Sequence, residues 1–211
     1  MRNADTQIVD ILDGKVQFMS RLVSGADSKT FERLGGSWAR DARHVYFAGQ
    51  RCAKIDAPSF RRLNQSFGID KKGAFFKMVF FADADPETFQ ALDSGLLLYE
   101  VGIFSGEDTR GYAKDANQVW FGHLKVRDAD AKSFWSLGNG YGRDKSSVYY
   151  REKRIAGADI TSWRHWRADI SLDEQNIYYC WKRIKDVDRK SVTHLSRQNC
   201  IVDRHGVFVH D

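Results

Sequence analysis

Proline is nearly missing from this 211-residue chain, with two in all, and glutamate is scarce, so aspartate supplies most of the 28 carboxylates. With so little proline and no Pro/Gly/Ser-rich stretch, nothing marks a linker, and residues 1–211 read as a single domain. Cysteine is sparse too: Cys52, Cys180 and Cys200 show no CxxC or paired spacing. That excludes a disulfide framework and points to small buried residues in a reducing compartment. No run of about eighteen apolar residues exists to span a bilayer, and charges interrupt every apolar stretch of the N-terminus. A cytoplasmic protein without membrane contact is the expectation. Nucleophile elbow, Walker loop, dinucleotide fingerprint and Cys–His signature are all lacking. The histidines are scattered, and His205 and His210 have no further ligand at metal spacing. No catalytic residue, cofactor or metal is therefore assigned, and the chain reads as a non-enzyme.

What the chain does have is a period. Asp130, Phe134, Leu137, Tyr141, Asp144 and Val148-Tyr149-Tyr150 recur 29 residues later as Asp159, Trp163, Trp166, Ile170, Asp173 and Ile177-Tyr178-Tyr179. The same skeleton stands at Asp27, Phe31, Leu34, Trp38, Asp41 and Val45-Tyr46-Phe47, and again at Asp56, Phe60, Leu63, Phe67, Asp70 and Ala74-Phe75-Phe76. Units begin near residues 27, 56, 85, 130, 159 and 188. A partial unit covers 8–26, and an insertion over 93–111 interrupts the third. Self-similarity at such a period is the signature of a repeat architecture.

In each unit the Asp-x-x-Ser/Thr-aromatic segment predicts a short helix, with the aspartate as N-cap and the residues four and seven positions on sharing one face. The remainder predicts strand, turn, strand, turn, strand, from aromatic and β-branched residues bounded by Gly, Asn, Asp and Ser. The fold class is mainly β with short helices: tandem repeats of about 29 residues, each a β-meander plus a short helix, in an open stacked array. A closed, propeller-like ring is the alternative, although blades usually need about 40 residues or more.

The phrases Tyr112-Ala113-Lys114-Asp115, Asp144-Lys145 with Val148-Tyr149-Tyr150, and Gly157-Ala158-Asp159 with Trp163 resemble the bacterial DKNYY repeat family. The resemblance spans nearly the whole chain. It departs from the pattern at Ala74-Phe75-Phe76, where both tyrosines are lost, and at the insertion. It implies a bacterial setting and little mechanism, since the family is largely without known function.

Four features were weighed for function. The second aspartate of each unit stands where a strand meets a tight turn; a calcium-binding row competes with Asx turns, and loops reading DARH, DKKG, DANQ and DKSS favour the turns. Of each tyrosine pair, one ring is expected in the core and the other under a neighbouring element or free to stack. Lys153, Arg154, Lys182 and Arg183 head a basic edge that, with exposed tyrosines, would suit nucleic acid. The insertion carries Leu97, Tyr99, Ile103 and Phe104, candidate anchors for another protein unless the segment docks as an extra strand.

The preferred reading is a protein-binding module, in one form an immunity protein that occludes a cognate toxin. Nucleic-acid binding is the first alternative. An enzyme with a composite site is the second. The net charge of +5 permits an acidic partner.

Overall fold

The computed structural model describes residues 9–101, 104–167, 169–195 and 200–208. Among these the protein is mainly β, and the one helix is a 3-10 turn, Ala57–Ser59. No helix among the described residues is long and apolar enough to cross a membrane. By the density of its internal contacts the chain divides into two compact units, residues 1–95 with 113–116, and residues 96–112 with 117–211.

Within the first unit, a three-stranded sheet (Val9–Leu12, Lys15–Phe18, Arg21–Leu22) precedes two four-stranded meanders. The 32–52 meander consists of Glu32–Gly35, Trp38–Arg40, Val45–Phe47 and Gln50–Cys52. The 61–81 meander consists of Arg61–Arg62, Phe67–Asp70, Gly73–Phe76 and Val79–Phe81. The second unit has two equivalents. The 135–154 meander runs through Trp135–Gly138, Tyr141–Arg143, Val148–Tyr150 and Lys153–Arg154. The 164–183 meander runs through Arg164–Arg167, Ile170–Leu172, Ile177–Tyr179 and Lys182–Arg183. Within these sheets every pairing is antiparallel between sequence neighbours, and none of them closes on itself.

The predicted short helices are absent, and the reason is local. Asp27, Asp85, Asp130 and Asp159 each accept an i+3 backbone bond, from Thr30, Thr88, Ser133 and Ser162 N–H; Asp159 also accepts Trp163 N–H, and none of these turns continues into a helix. Two turns of helix would be too short to hold without docking. The residues that follow instead pair as the outer strand of the meander, Trp135 opposite Arg143 and Ser136 opposite Gly142. Only at Asp56, with a proline in the first turn, does a 3-10 helix form. The predicted common face fails with the helix: Phe134 is buried at 2%, whereas Leu137 is 40% exposed.

Each hydrophobic cluster draws on two successive sheets. Val16 and Val23 pack with Ala39 and Tyr46, and Trp38, Val45 and Cys52 with Phe60 and Phe75. In the second unit Tyr141, Val148 and Tyr150 pack with Trp163 and Tyr178, and Ile170, Leu172 and Ile177 with Ile201. A sheet of four strands of two to four residues has too little apolar surface to stand alone, so its burial is completed by the next one.

Ring contacts trace the same logic. Trp38–Phe60, Phe67–Phe89, Tyr112–Phe134 and Tyr141–Trp163 meet at centroid distances of 5.0, 5.9, 5.1 and 5.2 Å. Such tilted and edge-on pairs each add about 1 kcal/mol beyond burial. A further complementarity sits beneath Phe134 and Phe60, whose rings lie over Gly142 and Gly68, where a Cβ would collide with them.

The insertion is a β-hairpin of its own. Leu97–Val101 pairs with Phe104–Asp108, Leu97 opposite Asp108 and Val101 opposite Phe104. The apolar run read as an extra strand forms one arm of this hairpin, Leu97–Val101.

Candidate functional site

The polar groups of each meander converge on one carboxylate. Asp144 is fully buried, and its Oδ1 accepts the N–H groups of Ser146 and Ser147, both at 2.8 Å. Its Oδ2 accepts the N–H of Asp130 at 3.0 Å and the hydroxyl of Tyr149 at 2.9 Å. Asp173 repeats this with Gln175, Asn176, Asp159 and Tyr178. Asp41 repeats it with Arg43, His44, Asp27 and Tyr46. Asp203 accepts from His205, Gly206 and Asp188. Asp85 N–H reaches Asp115 at 3.0 Å. One side chain thus fixes its own turn and ties the start of the unit to it.

The first aspartate completes the bracket. Asp130 accepts from Lys132 N–H and from the Ser133 hydroxyl, and that hydroxyl oxygen in turn accepts Lys145 N–H at 3.1 Å. The hydroxyl's onward bond recurs from Thr30 to Ala42, Ser59 to Lys71, Thr88 to Ala116, Ser162 to Glu174 and Ser191 to Arg204. The Ser or Thr of the Asp-x-x-Ser/Thr phrase is a relay between two turns.

Electrostatics follow from this geometry. Burial works to raise the Asp41 carboxyl, but the Tyr46 hydroxyl and the N–H groups of Asp27, Arg43 and His44 outweigh it and hold the group at about 2. Asp144 and Asp173 are lowered in the same way. Burial, then the adjacent carboxylates, push Tyr46, Tyr149 and Tyr178 far above the ordinary phenol range. These are groups fixed in one protonation state, suited to holding backbone rather than exchanging protons. The bonds are those of Asx turns. No group of three or more His, Cys, Asp or Glu side chains among the described residues is arranged to hold a metal ion.

The chain belongs to the class of all-β proteins assembled from small meanders, each closed by a buried aspartate. More particularly, it is a member of the DKNYY family, whose model matches residues 38–180. No curated protein and no solved structure gives a significant match.

The sequence-chosen residues fall as follows. Lys153 and Arg154, like Lys182 and Arg183, form exposed edge strands of two meanders. The tyrosines opposite them are not available for stacking: Tyr149, Tyr150 and Tyr178 are buried at 1, 3 and 0%, and Tyr179 is half-buried. The rings of Tyr149, Tyr150 and Tyr178 are enclosed because both faces of these thin sheets are covered. Leu97, Tyr99 and Phe104 are placed in the hairpin by backbone pairing alone; their side chains, and all of Ile103, lie outside the described residues.

Two exposed features went unread in the sequence. Trp135 is 43% and Leu137 40% exposed on one edge strand, with the Arg143 guanidinium 4.9 Å over the Trp135 ring. Trp181 is 39% exposed, with Lys182 Nζ 5.5 Å from its ring centre. Strand alternation carried the only available signal for Trp135 and Leu137, and the helix expectation masked it.

Proposed function

We propose that the chain is a non-enzymatic protein-binding module of the bacterial cytoplasm, its meanders stacked as an open array of repeats within each compact unit. In this reading it acts as an immunity protein, occluding a toxin by surface contact. The observation that carries the proposal is the exposed Trp135 with the half-buried Arg143 guanidinium over its ring, and the exposed Leu137 on the same strand. Trp and Arg are enriched in binding hot spots, Trp through its large rigid ring and Arg through its planar fork of donors. A cation already seated over the indole orients both groups before a partner arrives. The 97–108 hairpin is a second candidate contact.

The test begins with affinity capture on the tagged chain, followed by titration calorimetry with the purified, identified partner. Replacing Trp135 and Leu137 by Ala is expected to weaken binding by about tenfold or more, with the circular dichroism spectrum unchanged. Unaltered affinity overturns the assignment of this edge. A separate variant with residues 95–108 exchanged for a short Gly/Ser loop asks the same of the hairpin. Recovery of nucleic acid in place of protein would favour the basic-edge reading instead.

A further inference from the structure

A cleft of about 560 Å³ in the second unit is lined by Leu124, Lys125, Arg127, Asp128, Glu152, Lys153 and Arg154. Leu124–Lys125 and Lys153–Arg154 are two-residue strands, each the outermost of the described strands in its sheet. Their positions are set from below. Val126 and Ile155, buried at 5 and 2%, anchor the chain just past each basic strand. Val126 N–H bonds Val119 O at 2.8 Å, and Ile155 N–H bonds Val148 O at 2.9 Å. The Tyr149 hydroxyl, whose proton goes to Asp144, lies 3.3 Å from Asp128 O, so the loop of one wall sits against the neighbouring sheet.

We propose that this cleft binds an extended acidic peptide segment of the partner protein, an inference that rests on the protein-binding reading above. Four cationic side chains face two carboxylates in the lining, an excess that favours an anion. Leu124, 38% exposed, offers a seat for an apolar side chain between acidic ones. The carboxylates of Asp128 and Glu152 argue for peptide over nucleic acid: they can accept backbone N–H bonds, whereas a phosphodiester chain offers no donor to them. Nor does any exposed aromatic ring line the cleft to stack a base. Short open edge strands are the places where an extended peptide adds to a sheet.

The cleft is narrower than the basic stripe read from the sequence, because Lys182 and Arg183 are not among its walls. Fluorescence anisotropy with a labelled peptide of alternating Glu and Leu, about ten residues long, separates the cases. The comparison probe is an oligothymidylate of equal length. Binding is expected at about 50 mM NaCl and should weaken as salt rises. It should fall by about tenfold in K125E/R127E and in K153E/R154E, yet change less than about twofold in K182E/R183E.

An equal loss in K182E/R183E, tighter binding of the oligothymidylate, or no peptide binding at low salt would each overturn the cleft. All six substituted side chains are exposed, and unchanged circular dichroism confirms the fold. If the identified partner still binds the chain while the peptide does not, the cleft fails and the protein-binding reading stands. Loss of both ends both.

Discussion

The carboxylate nodes at Asp144 and Asp70 occupy the same place in two meanders and differ by two hydroxyl donors, those of Tyr149 and Ser146. At Asp144 the Tyr149 hydroxyl donates to Oδ2 alongside Asp130 N–H. At Asp70 the corresponding residue is Phe75, and the described donors are Asp56 N–H at 2.7 Å, Lys72 N–H at 2.7 Å and Gly73 N–H at 3.2 Å. Both aspartates are buried, at 0 and 3%, and both rings are too, at 1 and 0%. The backbone donors therefore suffice to hold the carboxylate, and the tyrosine hydroxyl is a supplement. The node is a clip for main chain first and an aromatic anchor second.

Removing the clip is the strongest way to test that ranking. Asp144→Ala strands five donors, of which Ser147 N–H and the Tyr149 hydroxyl are buried; each buried orphan costs about 1–3 kcal/mol, so a loss of about 4 kcal/mol is expected. Asp70→Ala should cost about 1 kcal/mol less. Urea denaturation of both variants measures the difference, and equal losses would remove the hydroxyl from the account.

Next in size is the glycine under the ring. Gly142→Ala drives a methyl into Phe134, for an expected cost of about 1–3 kcal/mol, and Gly68→Ala should match it through Phe60. A neutral outcome at either site would mean that the ring slides aside. The hydroxyl swap comes third: Tyr149→Phe is expected to lose about 1 kcal/mol, and Phe75→Tyr to gain somewhat less. A melting-temperature series reads both directions.

Acid titration gives the smallest effect. An unfolded Asp titrates near 3.9, and Asp41 in the fold is held at about 2. Because the folded value is the lower one, its stabilisation is complete above pH about 4 and is lost as pH falls toward 2. Tyr46→Phe removes one of the lowering bonds, so its acid-unfolding midpoint should move to higher pH. A midpoint that stays put would show that the backbone donors alone set the shift.

Much of this was legible in the residues themselves. The Val-Tyr-Tyr strands and the turns that the second aspartates open follow from local rules; of the first aspartates, Asp56 alone caps a helix among the described residues. The helix expectation failed because Asp-x-x-Ser/Thr serves a one-turn bracket as well as a helix start, and only the pairing of Trp135 with Arg143 decides between them. Burial of both tyrosines was hidden for a different reason: alternation says which face a ring takes, not whether a neighbouring sheet covers it.

The bond from Asp130 N–H to Asp144 within the unit was invisible, since its donor is backbone and carries no residue signature. One covarying signal was present. Small residues Ala39, Gly68, Ala113, Gly142 and Ser171 each follow a Phe or Trp at the start of their units, while Ile201 follows Val192. The exposed Trp135 edge and the Leu124 cleft depend on which side of a strand solvent reaches, which composition does not encode.

Amide hydrogen exchange at Asp130 in Asp144→Asn addresses the clip most directly. If the carboxylate binds the start of the unit to its turn, protection of the Asp130, Ser146 and Ser147 amides should fall together by about tenfold or more, while amides of the 164–183 meander keep theirs. Undiminished protection at Asp130 would contradict the account.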